Sequence, residues 1–412
     1  MSRDGYTGFT RGEARTSTAR ALHFANFGPL GKVARLPWSI ILLIVGVGLT
    51  GAAMLFSVGW DPVAQAPSPE EAGLWRDHLS RLGVGFVLMI TLALLPLGIW
   101  ARLAWPAYAA VIVLLVLVDF FGVMGGGAAR WLKIGPIVLQ PSEPAKLAVT
   151  MALASYYQRA MPTGGQSPPL WVHGGALIIM LIPAALVFKQ PNLSTALALA
   201  ASGAMIIFFA GIAMRYVAGA MLLGLAMIPV IYTFVLEPYH RERVDTLIAG
   251  ITGEATNGLG ESYQIEQAKI AIGAGGLSGR GYLQGIQSQQ EYVPEQHTDF
   301  ILTIIAEEFG FLGAVGLLAV FAFLFAWSFM VAAKNRSWFG RLATIGATST
   351  IAFFAIFNSG MVLGLLPVLG MPLPLISYGG TAMLSILLGF GLLMCVHVHR
   401  DVRIGRGGGG DS

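Results

Sequence analysis

Cysteine is all but missing from this sequence: Cys395 is the single one in 412 residues. A disulfide within the chain is therefore excluded, and Cys395, set in an apolar run, reads as a small packing residue. Charge is scarce as well. Asp, Glu, Lys and Arg make up 11% of the chain, against about 25% in soluble domains. The net charge of +4 is small and scattered, which argues against nucleic acid as a partner. The amino end lacks the short apolar run and small-residue cleavage site of a secretory signal peptide. What the chain has instead is apolar surface: 55% hydrophobic residues and a mean hydropathy of +0.71. A composition of that kind belongs in a bilayer.

A spanning helix needs about 20 mostly apolar residues, and the sequence offers about ten such stretches. They lie near 38–58, 82–100, 103–124, 144–160, 172–188, 193–212, 216–236, 300–331, 342–365 and 375–397. The expected fold is therefore an all-α integral membrane protein. Residues 1–37 carry Arg3, Arg11, Arg15, Arg20, Lys32 and Arg35 and form a basic tail. The membrane domain covers 38–400, and 401–412 is a glycine-rich C-terminal tail. Positive residues in short loops favour the cytoplasm. Arg102, Arg159 and Arg215 fall in alternate expected connections, Lys334, Arg336 and Arg341 share another, and Arg400, Arg403 and Arg406 follow the last span. This pattern places both ends in the cytoplasm. The 237–299 segment then lies outside, as a large periplasmic loop between spans seven and eight. The sequence shows no internal repeat of the kind that marks inverted-repeat transporters.

Polar residues beside the spans carry the chemistry. Arg130 and Trp131 follow a glycine run, and Gln140-Pro141-Ser142-Glu143 leads to Lys146. Glu143 and Lys146, three apart, share one helix face. They either neutralise each other at a helix start, or Lys146 joins Arg130 in holding a phosphate-bearing headgroup, fork and point charge together. Arg241 and Arg243 lie early in the external loop. The stretch Gly273 to Gly281 can cradle phosphate or simply turn tightly. Gln287 to Phe300 closes the loop, with His297, Thr298 and Asp299 at its end. Asp299 is either a helix-capping carboxylate or one held at the water–lipid boundary, where a lipid-borne sugar would sit. Glu307 and Glu308 fall inside an apolar span, where carboxylates are costly unless paired, and are expected to brace the bundle. Pro372, Pro374 and Ser377-Tyr378-Gly379-Gly380 make a turn or line a groove. Asn358, inside a span, is expected to bond to a neighbouring helix.

Taken together these stretches resemble the SEDS family (shape, elongation, division and sporulation). The resemblance rests on Arg130-Trp131-Leu132, Gln140 to Glu143 with Lys146, Gln190-Pro191-Asn192-Leu193, Ala271 to Gly281, Pro294 to Phe300 with Ala306-Glu307-Glu308, and Pro372 to Gly380. These occur in family order from about residue 40 to 400. Gln287-Ser288-Gln289 is closer to the RodA branch than to the division branch. The family often has Asp where this chain has Asn192, and Gly where it has Ser194. Asn192 brings no charge and stays outside the catalytic set.

The resemblance implies a glycosyltransferase of about ten helices that polymerises lipid II on the outer face of the membrane during cell elongation, with Asp299 as its essential acid. It implies a class B penicillin-binding protein as partner, among other elongation-machinery membrane proteins. Lipid II is α-linked to its diphosphate and the polymer is β-linked, so one inversion suffices. That chemistry needs one base for the acceptor hydroxyl and countercharge for the diphosphate. Asp299 fits the base. Arg130, Lys146, Arg241 and Arg243 are the candidate countercharges, and a divalent cation is another source. Glu143, Gln287, His297 and Ser377 complete the set expected to meet substrate. The rival readings are a lipid II flippase, which would string ionisable residues across the bilayer, and a non-catalytic membrane scaffold for a transpeptidase.

Overall fold

A computed structural model describes residues 29–405 apart from 62–63, 69–72, 126–127, 136, 163–166, 253–260 and 287–294. Most of the basic tail, Arg406 and the glycines after it, and Gln287 lie outside the described residues. The described residues form thirteen helices and little else. A short α1 (Pro29–Ala34) precedes α2 (Trp38–Val58), α3 (Leu74–Leu94) and α4 (Leu97–Phe121). Then come α5 (Ser142–Ala160), α6 (Leu170–Lys189), α7 (Leu193–Phe209) and α8 (Met214–Val235), the last finishing in a π-helical turn. The segment after α8 carries α9 (Pro238–Thr252) and α10 (Glu261–Gly275). The chain ends in α11 (Ile301–Lys334), α12 (Trp338–Val362) and α13 (Gly380–Val398).

Eight of these helices are long and apolar enough to cross a membrane: α2, α3, α4, α6, α8, α11, α12 and α13. The other two expected spans correspond to α5 and α7. Helix α7 is apolar but only 17 residues long, and α5 carries Glu143, Lys146 and Arg159.

The sequence expectations shift at two span boundaries, and two connecting segments gain structure of their own. The second and third spans break at Leu95–Pro96, not near Arg102. Leu95 is extended (ψ 146°), as the residue before a proline must be to avoid its ring. Arg102 therefore sits inside the early turns of α4 and not in a connection. Helix α3 also starts earlier, at Leu74, with polar first turns where Asp77 and Arg81 pair at 3.5 Å. The 125–143 stretch, described apart from 126–127 and 136, is rich in strand. It holds an antiparallel hairpin system, β3 (Val123–Gly125), β4 (Ala128–Ile134) and β5 (Ile137–Leu139), after the small ribbon β1 (Trp60–Asp61) and β2 (Ala66–Pro67). The described part of the 237–299 loop is built mainly from two helices.

Helix α12 is the hub, packed against α5, α7, α11 and α13. Small residues permit this. A Cβ on Gly346 would stand 2.5 Å from Ile206 Cδ1 and 2.7 Å from Thr150 Cγ2, so α5, α7 and α12 meet where there is no side chain. Lipid tails are as apolar as Leu, so such close packing drives helix association in a bilayer. Helix α13 lies along α3, and α8 has no buried residue at all.

Helix α11 is broken at Gly310, whose φ of +69° only glycine adopts cheaply. The Gly-rich turn after α10 fills the break. Arg280 and Gly281 N–H groups donate to the carbonyls of Glu307 and Glu308, and Phe311 and Leu312 donate to those of Gly276 and Leu277. The broken backbone is thus satisfied internally, as the interior of a membrane protein demands. The stretch Gly273 to Gly281 is a packing element, because Cβ atoms on Gly275 and Gly279 would lie within 2.0 Å of backbone carbonyl oxygens. Glu308 braces the same junction, accepting from Ser57 Oγ and from Leu283 N–H at 3.2 Å.

Candidate active site

Five pieces of chain converge at one end of the bundle: the turn before α11, the starts of α5 and α7, the far end of α12, and the segment between α12 and α13. The turn 295–299 is closed by Asp299 N–H donating to Glu295 O at 3.0 Å. Phe300 is the N-cap residue of α11, with no side chain capping the helix. Asp299 is therefore not the helix cap. Its backbone carbonyl is gripped by Asn358 Nδ2 at 2.6 Å, and the same nitrogen holds Met371 O at 2.6 Å. Gly370 lies against the carboxylate, since a Cβ there would be 3.4 Å from Asp299 Oδ2.

Burial pushes the Asp299 carboxyl up to about 7. Glu295 pushes in the same direction, and the Arg243 guanidinium opposes it. A carboxylate poised there is a far better base at neutral pH than an ordinary one at about 3.9.

Asn192 caps α7, accepting from Thr195 N–H at 3.3 Å and from Ser194 Oγ at 3.1 Å. It also reaches Ser142 Oγ, at the start of α5, at 3.4 Å. One turn along α5, Glu143 and Lys146 form a buried ion pair at 2.8 Å. Lys146 Nζ stands 4.3 Å over the Phe354 ring, and Phe354 is one turn from Asn358 on α12. Lys146 also lines a cavity with Thr150, Thr350 and Ser385. The mutual neutralisation open from the sequence is thus present, on the same side of α12 that leads to Asp299.

Helix α9 links the cations. His240 is buried and stacks on Phe188 at 6.4 Å between ring centres. Burial lowers its pKa first, then Arg243, and Arg130 adds to the effect. Arg243 thus acts on both Asp299 and His240, and Arg130 acts on His240 as well. Arg130, on β4, donates from Nε to Gln190 O at 3.3 Å and from its terminal nitrogen to Pro191 O. This ties the hairpin to the Asn192 cap. Arg241 points elsewhere: it donates to Leu236 O at 2.9 Å and Thr233 O at 2.7 Å, closing the end of α8.

His297 is fixed by its backbone carbonyl, which accepts from Tyr378 N–H at 2.8 Å, with the two rings 6.2 Å apart. Ser377 is buried, and its Oγ accepts from Leu373 N–H at 2.7 Å, closing a turn. Gln287 lies outside the described residues. Among the described residues no three His, Cys, Asp or Glu side chains are grouped to hold a metal ion. A magnesium ion needs only one or two carboxylates when substrate phosphates supply the rest, and Asp299 is the candidate carboxylate here.

Asn358 and Gly370 were not singled out for the site from sequence. A polar amide inside an apolar span was the available signal for Asn358. Nothing local marks Gly370.

The sequence model of the FtsW/RodA/SpoVE family, described as cell cycle proteins, matches residues 35–402. This chain belongs to that family. It is 39% identical over 340 residues to the peptidoglycan glycosyltransferase MrdB of Escherichia coli (strain K12), covering 82% of this chain and 90% of that one. The probable peptidoglycan glycosyltransferase FtsW of Trichlorobacter lovleyi is 32% identical over 365 residues, or 87% and 92% of the two chains. Among solved structures, a chain of a peptidoglycan synthase complex that coordinates polymerization and crosslinking superposes with a TM-score of 0.73. It is 29% identical and covers 89% of this chain and 98% of its own. The rod shape determining protein RodA of Thermus thermophilus gives a TM-score of 0.63 at 27% identity, over 89% and 97%. In this family member, Asp299, Arg243 and the Asn192 cap come together although they lie in three separate stretches of sequence.

Proposed function

We propose that this protein polymerises peptidoglycan glycan strands from lipid II, with Asp299 as general base. The observation that carries the reading is the poised Asp299 carboxylate beside Arg243, in a chain whose curated relatives are named peptidoglycan glycosyltransferases. Asp299 takes the proton from the acceptor 4-hydroxyl as that oxygen attacks the anomeric carbon of the donor. The bond to the diphosphate breaks with inversion, and the diphosphate leaves as an anion. Arg243 is the cation best placed to meet charge near the base, with Arg130 and Lys146 behind it. Glu143 holds Lys146, His297 lines the edge of the site, and buried Ser377 fixes the turn beside it. Gln287 belongs to the same acidic-motif stretch. A divalent cation, where present, shares the countercharge.

The protein sits in the bacterial inner membrane with ten spans, both termini cytoplasmic and residues 237–299 outside. It works with a class B penicillin-binding protein, which cross-links the strands, and with other membrane proteins of the elongation machinery. The likeness to a chain of a peptidoglycan synthase complex supports the first of these partnerships.

The test is the purified protein with lipid II in detergent, its transpeptidase partner present, and glycan products sized on a gel. Wild type should give polymer. Asp299→Asn keeps shape and backbone contacts but loses proton acceptance, so yield should fall by about 10²-fold or more. Normal polymer from a folded Asp299→Asn variant would remove Asp299 from the chemistry. No polymer from wild type would favour a flippase, since detergent leaves no bilayer to flip across.

A further inference from the structure

At the end of the bundle opposite Asp299, α11 and α13 leave a groove between them. Its walls are Trp327, Met330, Val331 and Lys334 from α11, with His397 and Arg400 from the end of α13. It offers about 350 Å³ of space, part of it open to the outside. The groove has two chemically different halves. Trp327 and His397 lie with ring centres 5.7 Å apart, next to the exposed Met330. Lys334 and Arg400 supply two positive charges, and no carboxylate lines the space.

Those two cations are not occupied elsewhere. Among the described residues, the ion pairs are Arg81–Asp77, Lys146–Glu143 and Lys189–Asp119, and none uses Lys334 or Arg400. Asp401 follows Arg400 directly but is exposed and forms no ion pair with either. Nor are the cations needed to cap α13. Asn335 Nδ2 donates to Val396 O at 3.2 Å, and Arg336 N–H donates to Arg400 O at 3.2 Å. Trp belongs at the depth where lipid headgroups meet acyl chains. Arg336, Arg341 and Arg403 add positive charge to the same end.

We propose that this groove binds the phosphodiester headgroup of an anionic phospholipid, with Lys334 and Arg400 on the phosphate and the first acyl segment along Trp327 and Met330. A free phosphate would satisfy the cations but leave the apolar half bare, whereas a lipid covers both. Basic pockets between membrane helices on the cytoplasmic side are built for this task. The site stands apart from the polymerase reading and holds whichever substrate the protein uses.

The test is native mass spectrometry of the full-length protein in non-ionic detergent. It is offered phosphatidylglycerol and phosphatidylcholine with identical acyl chains, in equal amounts. Wild type should retain phosphatidylglycerol in preference, on the order of tenfold, from the attraction of two cations. The Lys334→Gln, Arg400→Gln double variant should bring that ratio near one. Both side chains are exposed and outside the hydrogen-bonded junction, so thermal unfolding should not change. Lys334→Arg with Arg400→Lys should keep the preference, as should Arg215→Gln, which removes a basic residue away from the groove. Millimolar inorganic phosphate should leave the lipid bound. Equal retention of the two lipids by wild type, or an unchanged preference in the Gln double variant, overturns the proposal. Displacement by inorganic phosphate alone does so too, because it marks a site for the free anion.

Discussion

Asp299 owes its properties to burial and to two charged neighbours acting on one carboxyl. Burial and Glu295 raise its pKa to about 7, and Arg243 holds it from rising further. A base must be ionised to accept a proton, so polymerisation should increase with pH across this range. With a midpoint near 7, the ionised fraction grows about tenfold from pH 6 to pH 8. Initial rates on lipid II over that interval check the sign, and a flat profile removes the poised base. Replacing Arg243 by Gln takes away the cation that favours the carboxylate. The midpoint of the same profile should then move to higher pH, besides any loss of diphosphate binding. A lower rate with an unmoved midpoint would assign Arg243 to substrate alone. Asn358 acts on the backbone of Asp299 and not on its carboxyl, so it is a positioning residue.

The junction of α10 and α11 shows how an element can be set by glycine. The turn after α10 runs against the broken backbone of α11 so closely that Ala306 O would lie 1.9 Å from a Cβ on Gly275. Gly275→Ala must push two hydrogen-bonded backbones apart, at a cost of about 3 kcal/mol or more. Gly273 lies two residues earlier in the same helix and would meet nothing within 4 Å. Gly273→Ala should be neutral, or stabilising by about 0.5–1 kcal/mol, as alanine is a better helix former. Thermal unfolding of the two variants in detergent compares them directly, and equal midpoints would mean that the close approach is not tight. Because the turn anchors the start of α11, the Ala variant at 275 should also lower polymerisation.

At the scale of the whole molecule the arrangement is polar across the membrane. Asp299, Arg243, Arg130 and the Asn192 cap gather at one end, while Lys334, Arg336, Arg400 and Arg403 gather at the other. Clustering at one face suits chemistry on a surface-exposed headgroup better than a path across the bilayer. On the proposed topology, with positive residues inside, the second of these ends is cytoplasmic. An impermeant thiol reagent should label Glu242→Cys in intact cells and leave Asp401→Cys untouched until the cells are opened. Both positions are exposed, and Cys395 is buried, so background is low. Labelling of Asp401→Cys alone in intact cells would invert the topology.

The order of amino acids alone established a helical membrane protein, because a bilayer-spanning apolar run satisfies its backbone hydrogen bonds within itself only as a helix. It also determined the family, through short motifs in a fixed order, and the prominence of Asp299, which ends a polar loop at the edge of a span. Helix boundaries at polar ends were less legible. Arg76, Asp77 and His78 hide the first turns of α3 from any reading by hydropathy, and Arg102 looked like a connection because charge usually marks one. Only the tertiary structure decided which cation meets which anion. Arg241 and Arg243 are equivalent in the sequence, yet a helix turns residues two apart by about 200°. One therefore closes α8 and the other faces Asp299. The glycines of 273–281 carried two meanings until the backbone of α11 lay against them. The capping alternative for Asp299 ended the same way, when Phe300 took the cap and Asn358, from a distant helix, took hold of the Asp299 backbone.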